Sequence, residues 1–409
     1  MKPTGPIPPY FSTASDGQLQ IGGIAVEELV ADAGGTPLFV YDNNIIGGQI
    51  ARLRAAMPDG LSVYYSVTAN PSEELLGFIG RYIDGFRVVS KGELDRLKRA
   101  GLAGIPITFA GPGKSDDELE AGIAAGATIS VESEGEARRA ILAGERLGIR
   151  PKLAVRVNPP FGFECGKVIL GPRPSPFGVD PERAAPIVRG LLEADVEWRG
   201  LHLFAAAQCL DDDSLIESHR VIIECAGAIA KELDMPLPEL NLGGGFDIPC
   251  FDGEKPLDLY RLANALHETL CAAPELLATT RLSLELGRWI VAEAGVYLSR
   301  ILDRTESCGA TFLTTDGGGH HLLRATGCLQ ERSHGNYPIA IANRFDAPAE
   351  EQVTVTGCLA TPHDILGDEV MLPRAEPGDL VAIFAAGAYG PSASPQGWES
   401  RPPAREIVV

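Results

Sequence analysis

LSVYYSVTANPSEELLGFIGRYIDGFRVVSKGELDRLKRAG, residues 61–101, holds two β-rich apolar runs, at 61–69 and 85–90, each followed by a stretch of helical character. Such alternation is expected of βα units feeding a parallel sheet. Outward from it the pattern recurs with strands at 106–110, 127–131, 152–158 (KLAVRVN), 197–205, 239–243 and 281–287, eight in all. Helical segments fall between them. That at 115–125 opens SDDE, a serine cap with early acids, and another spans 134–147. The strands are continuous apolar runs, as expected when both faces are covered. No glycine-rich dinucleotide fingerprint follows the first strand, so the reading is an α/β fold, a closed (β/α)8 TIM barrel over 37–288, and not an open doubly wound sheet.

TPLFVYD at 36–42 and the helical stretch 43–57 lie outside the count of eight, and residues 1–36 are expected to join the domain that follows the barrel. After Trp289 the character changes. ATFLTTDGG, QVTVTGCL and LVAIFAAGAYG are short strand candidates separated by Gly, Pro and Asp, which predicts a C-terminal all-β sandwich over 289–409.

With 409 residues, 45% apolar and 22% charged, the chain is long enough for two substantial domains. The 35 basic and 55 acidic residues give a net charge of −20, which repels phosphate backbones and anionic membrane surfaces, so neither nucleic acid nor membrane is an expected partner. Eight cysteines stand singly with no CxxC, and the first thirty residues lack a basic segment followed by an apolar run. Both point to reduced thiols in a cytoplasmic protein.

In such a barrel chemistry sits at the C-terminal strand ends. That geometry selects Gly243, Gly244 and Gly245 after the seventh strand, where backbone amides cradle phosphate in many barrels, with Glu285 and Arg288 at the end of the eighth. The alternative for Glu285 is a salt bridge to that arginine. GPGKS at 111–115 lacks the first glycine of a nucleotide P-loop, Thr108 standing in its place. His320 and His321 have no His-x-x-x-His pairing, so no metal site is expected, and Asp211–Asp213 reads as a solvated helix cap.

Together these motifs resemble the fold-type III pyridoxal-phosphate decarboxylases, the diaminopimelate, ornithine and arginine decarboxylase group, and especially its subgroup in natural-product and carrier-protein pathways. The resemblance runs through TPLFVYD, YYSVTANP, ITFAGPGKS, VESEGEARRA, VRVNP, GLHLFAAAQ, NLGGGF, LELGRWIVAEAG, FLTTDGGGHH, CLATPHD and GAYG. It implies a barrel, a β-sandwich and a head-to-tail dimer with active sites at the interface. It further implies that Gly243, Gly244 and Gly245 hold the cofactor phosphate with Arg288 and Tyr389, that Glu285 pairs with the pyridine nitrogen, that Arg156 orients the site and that Phe204 stacks on the ring.

The departures from that pattern carry the functional reading. Members read YAxKAN where this chain reads Tyr65-Ser66-Val67-Thr68-Ala69-Asn70, so Thr68 stands where the Schiff-base lysine belongs. Ala360 replaces the cysteine that serves as acid in the family. Arg87 replaces an Asp, Ala206 and Ala207 replace Gly-Ser or Gly-Thr, Asp247 a Gly, and Leu286 a Pro. A threonine hydroxyl forms no aldimine, and Asp247 repels a dianion. The expected function is therefore acid–base chemistry without pyridoxal phosphate, such as cyclisation, dehydration, condensation or proton transfer, on a small or carrier-linked carboxylate. Thr68, Arg87, Arg156, His202, Asp247, His363 and Asp364 are the candidate catalytic groups. Two alternatives stand beside it: an inactive paralogue that partners a lysine-bearing homologue, and a protein that binds pyridoxal phosphate non-covalently and acts on amino acids.

Overall fold

The computed structural model describes residues 2–159, 174–327 and 335–409 in full, and the backbone of 163–165 and 168–170. Two compact units divide the chain. One comprises Ile50–Asp247 and Leu257–Gly287, the other Met1–Gln49, Ile248–Pro256 and Arg288–Val409.

The first unit is the eight-stranded closed parallel barrel. Its strands, in chain order, are Ser62–Ser66, Gly85–Val88, Ile107–Phe109, Thr128–Val131, Lys152–Val157, Glu197–Leu203, Glu239–Asn241 and Arg281–Leu286, with the eighth pairing the first. Apolar runs such as Leu153–Val157 are buried throughout because the strands have side chains packed on both faces. The run at 61–69 is not all strand: it ends at Ser66, and Val67–Ala69 forms a 3-10 turn. Helix starts follow local chemistry. Ser90 caps Lys91–Arg99, Ser115 and Glu118 form a reciprocal capping box at Asp116–Ala124, Ser133 caps Glu134–Leu147, and Asp211 caps Asp212–Leu233. In the sixth strand Gly200 takes φ +108°, and a Cβ there would lie 2.0 Å from the Glu239 carbonyl, so the irregularity in register at this point requires glycine.

The second unit is built on sheet. Leu38–Tyr41 runs between Gly295–Ser307 and Arg405–Val408. Gly295–Ser307 also pairs with Leu380–Ile383 and Ala310–Thr315, and Glu351–Thr356, Ile365–Leu372 and Ile339–Ile341 complete the layer. Its core gathers Leu19, Ile21, Val40, Val296, Leu298 and Phe384. The barrel unit thus begins at residue 50 and not at 37, because the TPLFVYD strand finds its hydrogen-bond partners in the β unit; residues 248–256 also fall outside it. No helix among the described residues is long and apolar enough to cross a membrane. Cys225, Cys250, Cys271, Cys308 and Cys358 are free, whereas Cys209 is disulfide-bonded. Its spacing in the sequence suggested a reduced thiol, but disulfide geometry is set by distance in the fold.

One buried charge network ties the loops after the third, fourth and fifth strands. Lys114 Nζ donates to Glu136 Oε1 at 2.7 Å and to the carbonyls of Gly111 and Ser130 at 2.7 and 3.0 Å. Glu132 accepts from the Gly111 amide at 2.6 Å, from Arg156 at 2.8 Å and from the Gly178 amide at 3.1 Å. The lysine of GPGKS is therefore a strut beneath its own loop. Replacing one member of a buried pair leaves the other uncompensated, so Lys114→Met is expected to lower unfolding free energy by about 3–5 kcal/mol, read by chemical denaturation.

A second expectation concerns acid. His219 is 2% exposed, neither ring nitrogen has a partner among the described residues, and burial lowers its pKa to about 4. An imidazole with a lowered native pKa leaves stability intact above the unfolded value near 6.5 and removes it as pH falls from there towards 4, by at most about 3 kcal/mol. His219→Phe is expected to flatten the decline in stability between pH 6.5 and 4, measured by denaturation across that range.

Candidate functional site

Within the barrel, Ser66, Arg87, Thr108, Ser130, His202, Asn241 and Glu285 come from seven different strands and join in one polar layer. The strand register sets them at a common level: Ser66 stands beside Arg87, Arg87 beside Thr108, and His202 beside Asn241. Glu285 is the hub. Its Oε1 accepts from Thr108 Oγ1 at 2.9 Å and Asn241 Nδ2 at 2.6 Å, and its Oε2 lies 3.4 Å from Arg87 Nε and 3.5 Å from His202 Nε2. Arg87 Nη1 donates to Ser66 Oγ at 3.3 Å, and His202 Nδ1 contacts Ser130 Oγ at 3.3 Å.

The electrostatics follow from this wiring. Burial pushes the Glu285 carboxyl up, but His202 where it carries a proton, the Arg87 guanidinium and the hydrogen bonds from Thr108 and Asn241 outweigh it, so the group sits below the usual carboxylate range and is ionised at neutral pH. Burial dominates at His202 and lowers it to about 4, so the imidazole is neutral at neutral pH. The layer can thus hold an anion against Arg87, and its neutral imidazole has lost the proton that a general acid would need.

Thr68, in the turn that ends the first strand, acts on the Glu93 carboxyl, whose Oε2 accepts from the Val89 amide at 2.8 Å. Burial raises the Glu93 pKa. Sequence reading missed Glu93, although its place at the third helical position after Ser90 marks a capping acid. It also missed Thr108, Ser130 and Asn241, neutral polar residues inside apolar runs.

The glycine loop follows the seventh strand directly. Gly243 donates to Asn241 Oδ1 at 2.8 Å, and a Cβ on Gly244 would lie 2.0 Å from the Glu285 carbonyl, so backbone packing alone demands that glycine. The Gly244 and Gly245 amides meet no protein acceptor among the described residues. The Phe204 ring leans over Gly243, where a Cβ would meet it at 2.6 Å. Asp247 is half-buried and its amide bonds the Cys209 carbonyl at 3.1 Å. Arg156 is buried on Glu132, with Phe177 5.1 Å from its guanidinium.

The remaining candidates lie in the second unit. Arg288 is buried with its guanidinium 4.7 Å from the Tyr389 ring centroid, and Arg324 approaches the same ring at 5.9 Å. Tyr389 has φ +56°, a left-handed conformation that costs a non-glycine residue about 1 kcal/mol or more. Glu285 pairs with Arg87 within the barrel unit. His363 is exposed. Asp364 is buried and braces its loop, accepting from the Gly319 amide at 2.6 Å and the Leu359 amide at 2.8 Å, so its carboxylate is occupied by backbone.

Comparison with known proteins accords with this arrangement. Residues 44–292 match the family described as pyridoxal-dependent decarboxylase, pyridoxal binding domain. The L-glutamyl-[BtrI acyl-carrier protein] decarboxylase of Niallia circulans is 32% identical, over 91% of this chain and 88% of its own. The diaminopimelate decarboxylase of Archaeoglobus fulgidus is 32% identical over 98% of this chain and 93% of its own. The solved diaminopimelate decarboxylase from M. jannaschii in complex with L-lysine superposes with a TM-score of 0.86 at 26% identity, covering 98% of this chain and 92% of that one. The barrel, the β-sandwich and the similarity across both make this chain a member of the fold-type III pyridoxal-dependent decarboxylase family.

Proposed function

We propose that this chain is a biosynthetic member of the family that performs acid–base chemistry on a small or carrier-linked carboxylate without Schiff-base decarboxylation. The observation that carries the reading is Thr68: at the strand end where, by the resemblance, family members present a lysine, this chain has a hydroxyl in place of an amine. An alcohol cannot condense with an aldehyde to form an imine. Neither of the two lysines near the strand ends supplies a replacement: Lys91 is exposed at a helix start, and Lys114 is committed to Glu136.

The donor set does not fit covalently held pyridoxal phosphate, and the carboxylate that resemblance assigns to the pyridine nitrogen already faces Arg87. The similarity to a decarboxylase named for an acyl-carrier-linked glutamyl group supports a substrate of that chemical kind. Proton transfer would fall to Thr68 and Glu93, a carboxyl whose pKa burial raises. By the same resemblance the working assembly is a homodimer in the cytoplasm.

Incubation with pyridoxal phosphate, followed by absorbance, borohydride reduction and mass measurement, tests the reading. The wild type is expected to show no aldimine band and no reducible adduct. A stable aldimine on any lysine of the wild type would overturn it. Thr68→Lys, run alongside, reports whether the barrel still has room for the cofactor.

A further inference from the structure

Arg87 offers more hydrogen-bond donors than its protein neighbours take up. A guanidinium presents five N–H donors in a planar fork and no acceptor. Nη1 donates to Ser66 Oγ at 3.3 Å, the Nε edge lies 3.4 Å from Glu285, and Nη2 meets no acceptor among the described residues. The side chain is 20% exposed, so part of the fork is within reach of a ligand.

Glu285 cannot swing to cover that edge, because Thr108 and Asn241 hold its other oxygen at 2.9 and 2.6 Å. His202, neutral and 3.5 Å from Glu285, supplies no competing cation. A planar guanidinium is suited to two carboxylates at once, one on the Nε edge and one across the terminal nitrogens, and charge-assisted pairs of this kind are the strong ones.

We infer that Arg87 is the carboxylate anchor of the barrel site, with Glu285 orienting its guanidinium and the acid group of the substrate closing on the remaining Nη edge. The inference rests on the carboxylate reading above and goes further by naming the recognising group. A purely structural Arg87 would do no more than neutralise Glu285, and substitutions on the two sides of the pair separate these roles.

Calorimetric titration of the full chain with glutarate, with glutaramide as uncharged control, provides the test. The wild type is expected to bind glutarate and not glutaramide, and Arg87→Gln to weaken binding by about tenfold or more. Glu285→Gln leaves the cation unbalanced and is expected to tighten binding severalfold. The double variant Arg87→Gln with Glu285→Gln removes both charges, so it guards against misfolding of the single arginine variant, and is expected to bind as weakly as Arg87→Gln. Absence of wild-type binding, equal affinity in wild type and double variant, or equal loss in both single variants overturns the assignment. Such a result leaves the aldimine test untouched, and an aldimine on the wild type would sink the acid–base reading without altering the glutarate titration.

Discussion

Glu285 is the group that the barrel is arranged around. Moving a carboxylate out of water costs several kcal/mol even after the protein relaxes, and the side chain is 3% exposed. Its partners Arg87, Thr108, His202 and Asn241 stand on four other strands, from the second to the seventh, and these meet only when the sheet has closed. Closure of the barrel and ionisation of Glu285 are thus one condition. A barrel missing any of these strands would carry a buried, uncompensated charge, which is a stronger penalty against partial structures than apolar burial alone imposes.

The Lys114–Glu136 and Glu132–Arg156 pairs do for the loops what Glu285 does for the strands. Each fixes backbone amides or carbonyls of a connecting segment, so the rim after the third, fourth and fifth strands is held by charge-assisted hydrogen bonds. Against this rigid surround the central departures stand out. Arg87 and Thr68 sit inside an otherwise well-braced site, Arg87 against Glu285 and Ser66 and Thr68 beside Glu93.

The fold was legible because it rests on period and run length. All eight barrel strands, the caps at Ser115 and Asp211 and the later sheet announce themselves through local chemistry that neighbours in sequence reveal. The polar layer was only partly legible. Arg87, His202 and Glu285 carry charge or an imidazole and attract notice, whereas Thr108, Ser130 and Asn241 matter through partners far along the chain. The Thr68–Glu93 contact spans two βα units and is likewise invisible to spacing. Of the other candidates, His363 faces solvent and Asp364 braces backbone, placements that the sequence does not announce. The sequence reading starts the barrel at 37 where the structure starts it at 50, because a strand's sequence states its propensity and not which sheet it joins.

Leu38–Tyr41 lies between strands that begin at residue 295 and end at residue 408, pairing in register with both. As the ribosome delivers the chain, this early strand emerges long before either neighbour, and the whole barrel is made in the interval. Its apolar edge therefore waits through most of synthesis without its sheet, the situation in which unpaired strands recruit wrong partners. Arg405–Val408 reaches this sheet only after the barrel has been made, so a chain cut before residue 405 forfeits the strand that pairs with its own early segment.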